Sequence, residues 1–238
     1  MGPAAGTEHS EPRRTARECI MKPALLLLAF QLLSGSLALC AQAQTGPAQT
    51  AESAFAEGKA LVEANCADCT GATAERLKEG LRDIERALEL GYSDSAAAYR
   101  LLGEGYGALA FAFETPGSAE HQRAREAQRA SLQRWFEADP ANGDALYAYA
   151  SAIETPADRL AALQYLEQID PNHLWGQASL AEMEINSGAV PMGLRRLQRA
   201  FDAAEGETKR EFGERLIEAY EREGLTAEAQ AVRDRLAE

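Results

Sequence analysis

Positive charge is scarce in this chain. Lys and Arg number 24 against 37 Asp and Glu, leaving a net charge of −13 and a pI near 4.8. An acidic chain repels phosphate backbones, so no nucleic-acid partner is expected. Aromatic residues make up only 7% of the sequence, and there are four cysteines and three histidines. No apolar run reaches the length of roughly 20 residues that a membrane-spanning helix needs. The sequence has no G-x-S-x-G, H-E-x-x-H or phosphate-loop motif, so neither an enzyme nor a cofactor is expected. What the chain does have is 46% hydrophobic residues, led by Ala and Leu, with 26% charged residues and few β-branched runs. That balance predicts an all-α fold.

The start of the chain reads as an export signal. From Met21 the sequence runs MKPALLLLAFQLLSGSLALCAQAQ, with Lys22 as the positive n-region and residues 24–33 as a short apolar h-region. Ala41-Gln42-Ala43 fits an A-x-A site, which places cleavage after Ala43 and the mature protein in the periplasm or outside the cell, with no transmembrane span. Residues 1–20 are polar and precede the n-region, so they are expected to be a non-native upstream extension, with Met21 the true start. Cleavage after Ala43 removes four basic and three acidic residues, taking the charge from −13 to −14. An alternative is a lipoprotein box at Leu37-Ala38-Leu39-Cys40, which would anchor the chain to a membrane through Cys40.

After a polar linker at 44–50, helical patterning runs from 51 to 238. Thr73 is placed to cap a helix carrying Leu77, Leu81, Ile84 and Leu88, spaced four, three and four. Ser93-Asp94-Ser95 offers N-caps for the next helix, which carries Tyr99, Leu102, Gly103 and Tyr106 and runs to Phe113. Thr115-Pro116-Gly117 breaks it, and a long polar helix is expected over about 119–138. Thr155-Pro156-Ala157-Asp158 and Ser187-Gly188 read as further turns, and Gly224 closes the last hairpin. EADPAN (137–142) and EQIDPNH (167–173) are matching closures, with Pro140 and Pro171 31 residues apart.

The segment YRLLGEGY (99–106), the two Asp-Pro closures and the 36-residue spacing of Gly188 and Gly224 resemble the tetratricopeptide repeat family over residues 95–238. The junction LELGYSDSAAAY (88–99) is similar to Sel1-type repeats. The resemblance implies a right-handed superhelical stack of about five antiparallel helix hairpins, a TPR-like α-solenoid. It also implies that Gly103, Ala150 and Ala181 sit where paired helices approach closely. By the same resemblance, partners lie against the first helix of each hairpin. That assigns Arg100, Glu104, Tyr147, Ser151, Glu154, Trp175, Glu182, Ile185, Asn186, Glu214 and Glu218 to a groove. Tyr147, Trp175 and Ile185 would be its apolar anchors, and Glu182, Glu211, Glu214, Glu218 and Glu221 would make one end acidic. The implied function is a protein-binding scaffold whose partner, a protein or peptide, carries an apolar anchor and basic residues. For Trp175 a packing role between hairpins is the competing reading.

Cys66-Ala67-Asp68-Cys69 has the C-x-x-C spacing. Residue 70 is Thr, so the axial His of a c-type haem is missing. No βαβ pattern surrounds the pair, and only His121 and His173 could complete a zinc site in the mature chain. In an exported chain the pair reads as a short disulfide across the loop 65–71, with thiol exchange as the alternative. The glycine-rich run 103–107 lacks the dinucleotide spacing and reads as helix packing. His121 and His173 lie in polar contexts and are expected to be exposed.

Overall fold

The computed structural model describes residues 49–66, 71–112 and 116–237. The signal segment with Cys40 and Ala43, most of the linker, Cys69 and Phe113–Thr115 lie outside the described residues. All described residues belong to the unit spanning 48–238.

Among them are ten helices and no strand: α1 (Ala51–Asn65), α2 (Gly71–Glu89), α3 (Ser95–Ala112), α4 (Ala119–Ala138), α5 (Gly143–Ala152), α6 (Pro156–Ile169), α7 (Leu174–Asn186), α8 (Val190–Ala203), α9 (Gly206–Arg222) and α10 (Thr226–Leu236). Each helix packs on the next in the chain. The expected all-α fold is therefore present, built from neighbouring contacts.

The 4-3-4 stripe of α2 is buried as its spacing requires, with Leu77, Leu81 and Ile84 at 0–1% exposure. That helix begins at Gly71, two residues before Thr73, so Thr73 lies inside its first turn and is not its N-cap residue. The turn expected at Thr155–Asp158 is shorter, because Pro156 takes the first helical position of α6, where its missing N–H costs nothing. Thr50, read as linker, belongs to the fold: it N-caps α1 in a reciprocal capping box with Ser53. At Gly103 a Cβ would overlap the Leu132 side chain, so α3 and α4 approach closely there. Ala150 and Ala181 are at 0% exposure. Gly188 (φ +91°) and Gly224 (φ +75°) end α7 and α9 in the left-handed region, which glycine enters without steric cost.

The two Asp-Pro closures are the same structure. Asp139 and Asp170 close α4 and α6 with φ, ψ of −141°, 76° and −139°, 83°. Asn142 and His173 then cap α5 and α7. The core runs along the chain as three clusters. One joins α1–α4, one joins α5 and α6 to Leu180 of α7, and one joins α7–α10 around Phe201, Phe212 and Leu216.

Candidate functional site

Helices α7 and α9 each present one stripe of mostly polar side chains. In α7, Trp175, Glu182 and Asn186 are seven and four residues apart. In α9, Glu211, Arg215, Glu218 and Arg222 follow at four, three and four. These spacings put each set on one helix face. The two stripes meet. Arg215 donates to Glu182 across the helices at 2.7 Å and to Glu211 within α9 at 2.6 Å. Its guanidinium also lies over the Trp175 ring, 5.2 Å from the centroid.

Between them is a cavity of about 240 Å³ lined by Glu182, Ile185, Asn186, Leu197, Arg215, Glu218, Ala219 and Arg222. Its floor is apolar: Ile185, Leu197 and Ala219 are at most 7% exposed. Its rim is zwitterionic, because Arg222 pairs with Glu218 at 3.0 Å just as Arg215 pairs with Glu182. Burial works against the charge on Arg215, but the Glu211 hydrogen bond and the Glu182 charge outweigh it and hold its pKa above the ordinary value. Arg215 therefore keeps its charge across the accessible pH range.

Of the residues the resemblance assigns to a groove, Glu182, Ile185, Asn186 and Glu218 converge on this cavity. Trp175 and Tyr147 form an adjoining aromatic pair with centroids 6.5 Å apart. Arg100 and Glu104 pair with each other at 2.8 Å, Ser151 donates to the Tyr147 carbonyl, and Glu154 faces Arg129 of α4 at 3.9 Å. Glu214 is exposed.

Three expectations are corrected. Ile185 is not a projecting anchor, since it is 7% exposed and part of the core that floors the cavity. The groove end is not simply acidic, because Arg215 bonds Glu182 and Glu211, Arg222 bonds Glu218 and Arg233 bonds Glu221. His173 is not exposed: its side chain is 8% accessible, held by the Gly176 N–H and by Asp144. His121 is half-buried, with Nδ1 3.0 Å from the Ala110 carbonyl oxygen. Sequence reasoning missed Arg215, Leu197 and Ala219. The Glu-x-x-x-Arg spacings 211–215 and 218–222 were the available signal for paired rather than free carboxylates.

Of the C-x-x-C pair only Cys66 is described. It ends α1, half-buried, with Sγ 3.6 Å from the Glu104 carbonyl oxygen. A second cleft of about 600 Å³ lies between the α6–α7 turn and α8. Arg196 crosses its floor, donating to Glu167 of α6 at 2.5 Å and to Gln177 and Glu184 of α7 at 2.6 and 3.0 Å. The described residues hold no helix long and apolar enough to cross a membrane, and no cluster of three or more His, Cys, Asp or Glu placed to hold a metal ion.

No protein-family model matches the chain, and no curated protein matches it significantly.

Proposed function

We propose that this chain is an exported repeat scaffold that holds a segment of another protein between α7 and α9. In this reading the five hairpins form a right-handed superhelical stack of the tetratricopeptide type, and α3, α5, α7 and α9 line its inner surface. The signal reading of residues 21–43 assigns the work to the periplasm or the cell exterior. The observation that carries the proposal is the convergence of Glu182, Ile185, Asn186 and Glu218 on one cavity with an apolar floor and a charged rim. Concave sites of this composition bind by burying an apolar group while a few polar groups fix its orientation.

The rim refines the partner. Two guanidinium–carboxylate pairs suit a segment that presents both charge signs around one aliphatic side chain. A purely basic segment would meet Arg215 and Arg222, while one lysine or arginine can still reach Glu214. Tyr147 and Trp175 extend the surface toward α5, where aromatic contact area strengthens an interface.

The test is to fill the cavity. Asn186 is exposed at its mouth, so Asn186→Trp occupies the space without removing a core contact. Partner capture from a periplasmic extract should fall about tenfold or more, the scale of one lost anchor, with the melting temperature unchanged. Equal capture by the variant and the natural chain would overturn the proposal.

A further inference from the structure

Asn142 and His173 occupy the same place in two copies of one turn. Each follows an Asp-Pro closure, and each donates its backbone N–H to the carbonyl of that Asp, at 3.1 Å to Asp139 and 3.2 Å to Asp170. Each then caps the following helix by accepting a backbone N–H three residues on. Ala145 donates to Asn142 Oδ1 at 3.1 Å, and Gly176 donates to His173 Nδ1 at 3.0 Å. The difference is chemical. An amide oxygen does not titrate in the physiological range, whereas an imidazole nitrogen does.

Because Nδ1 accepts, the proton of the neutral ring sits on Nε2, which donates to Asp144 Oδ1 at 3.0 Å. The ring therefore ties two hairpins together: Nδ1 holds the start of α7, and Nε2 holds the first turn of α5. The Tyr147 ring lies 5.1 Å from it, centroid to centroid. The charged and titratable groups around it are Asp144 and Tyr147 from α5 and Asp170 from the turn, whose carboxylate and the imidazole both border Gly143. Beyond Trp175 come Arg215 and Glu211 of α9 and Glu182 of α7.

We propose that His173 is a proton-sensitive joint between the third and fourth hairpins. A second proton, on Nδ1, replaces the cap acceptor with a donor aimed at the Gly176 N–H, so the cap bond is lost. It also sets a positive charge against the positive end of the α7 dipole. The Nε2 contact to Asp144 meanwhile becomes charge-assisted. The grip of the ring passes from α7 to α5, and the first turn of α7, which carries Trp175, loosens as pH falls. The sister turn at Asn142 keeps its cap throughout. The joint operates whether or not the groove holds a partner.

The experiment uses the full chain labelled with ¹⁵N. Long-range ¹H–¹⁵N spectra follow the His173 ring from about pH 8 to about pH 5, the span of histidine titration. Amide exchange, corrected for its intrinsic pH dependence, follows Gly176 and Ala145 in the same sample. We expect the Nε2–H tautomer at the upper end. As the ring gains its second proton, Gly176 protection should fall about fivefold, the worth of a cap, while Ala145 protection holds. His173→Asn, which installs the residue the sister turn already uses, should make Gly176 behave like Ala145. An Nδ1–H tautomer at the upper end overturns the proposal. So does a ring that stays neutral across the range, or one that protonates while Gly176 keeps pace with Ala145.

Discussion

The indole of Trp175 meets the ring of Phe212 edge to face, with centroids 4.8 Å apart. Phe212 is fully buried, whereas Trp175 is half-buried and also carries Arg215 on its ring. Trp175 is thus a packing bridge between α7 and α9 at the edge of the proposed groove, and the competing reading of a packing role holds for part of its surface.

Trp175→Ala should lower unfolding stability by about 2–3 kcal/mol, below the range for a fully buried aromatic because one side of the ring is open. Trp175→Phe should recover most of that loss. Urea unfolding of both variants measures it. A loss under about 0.5 kcal/mol, the level of an ordinary surface substitution, would show that the Phe212 contact adds nothing.

Much of this fold was legible in the sequence because it is local. The 4-3-4 stripe of α2, the span of α4 and the two Asp-Pro closures depend on residues within one or two turns of each other, and helix periodicity and turn chemistry act at that range. The charge pattern of the site depends on longer reach. Arg215 meets Glu182 from 33 residues away, and Arg196 meets Glu167 from 29. Neither pairing can be read from spacing, so the groove end read as acidic although four of its five carboxylates, Glu182, Glu211, Glu218 and Glu221, bond an arginine. His173 was misplaced for the same reason, since its ring nitrogen Nε2 meets Asp144, 29 residues earlier. Thr73 lies inside α2 because the helix begins at Gly71, two residues before it.

Arg196 of α8 joins α6 and α7, and its side chain is 13% exposed, as is that of Glu184. Arg196→Met should cost about 3 kcal/mol, because it leaves Glu184 buried without its cation while Oε2 already lacks a hydrogen-bond partner. Chemical denaturation reads this directly, and a neutral result would remove the pair from the account.

The Glu167 carboxyl lies below its ordinary pKa of 4.5. The Arg196 hydrogen bond is the main cause, opposed by burial and aided by the Arg196 charge. A depressed carboxylate stabilises the fold above its unfolded pKa, and that contribution is lost as pH falls through the folded value. Glu167→Gln should therefore flatten the acid limb of the stability curve below about pH 4.5. Parallel acid limbs for the variant and the natural chain would show that Glu167 is not coupled to folding.

Glu218 and its partner Arg222 are largely exposed, and Glu214 is exposed without an ion pair among the described residues. The double variant Glu214→Lys, Glu218→Lys should change stability by less than about 1 kcal/mol. It should slow partner association at low salt and flatten the salt dependence, because rim charges act on encounter more than on the docked state. An unchanged association rate at low salt would show that these carboxylates do not face the partner.

The central claim is that the partner sits between α7 and α9, and site-specific photocrosslinking tests it most directly. A photoreactive residue is placed in turn at Asn186, at Glu218 and at Gln230, which is exposed on α10 and does not line the cavity. The account predicts crosslinks to one partner species from positions 186 and 218 and none from 230. Crosslinking from 230 as strong as from the other two, or a partner that co-purifies yet never crosslinks at 186 or 218, would contradict it.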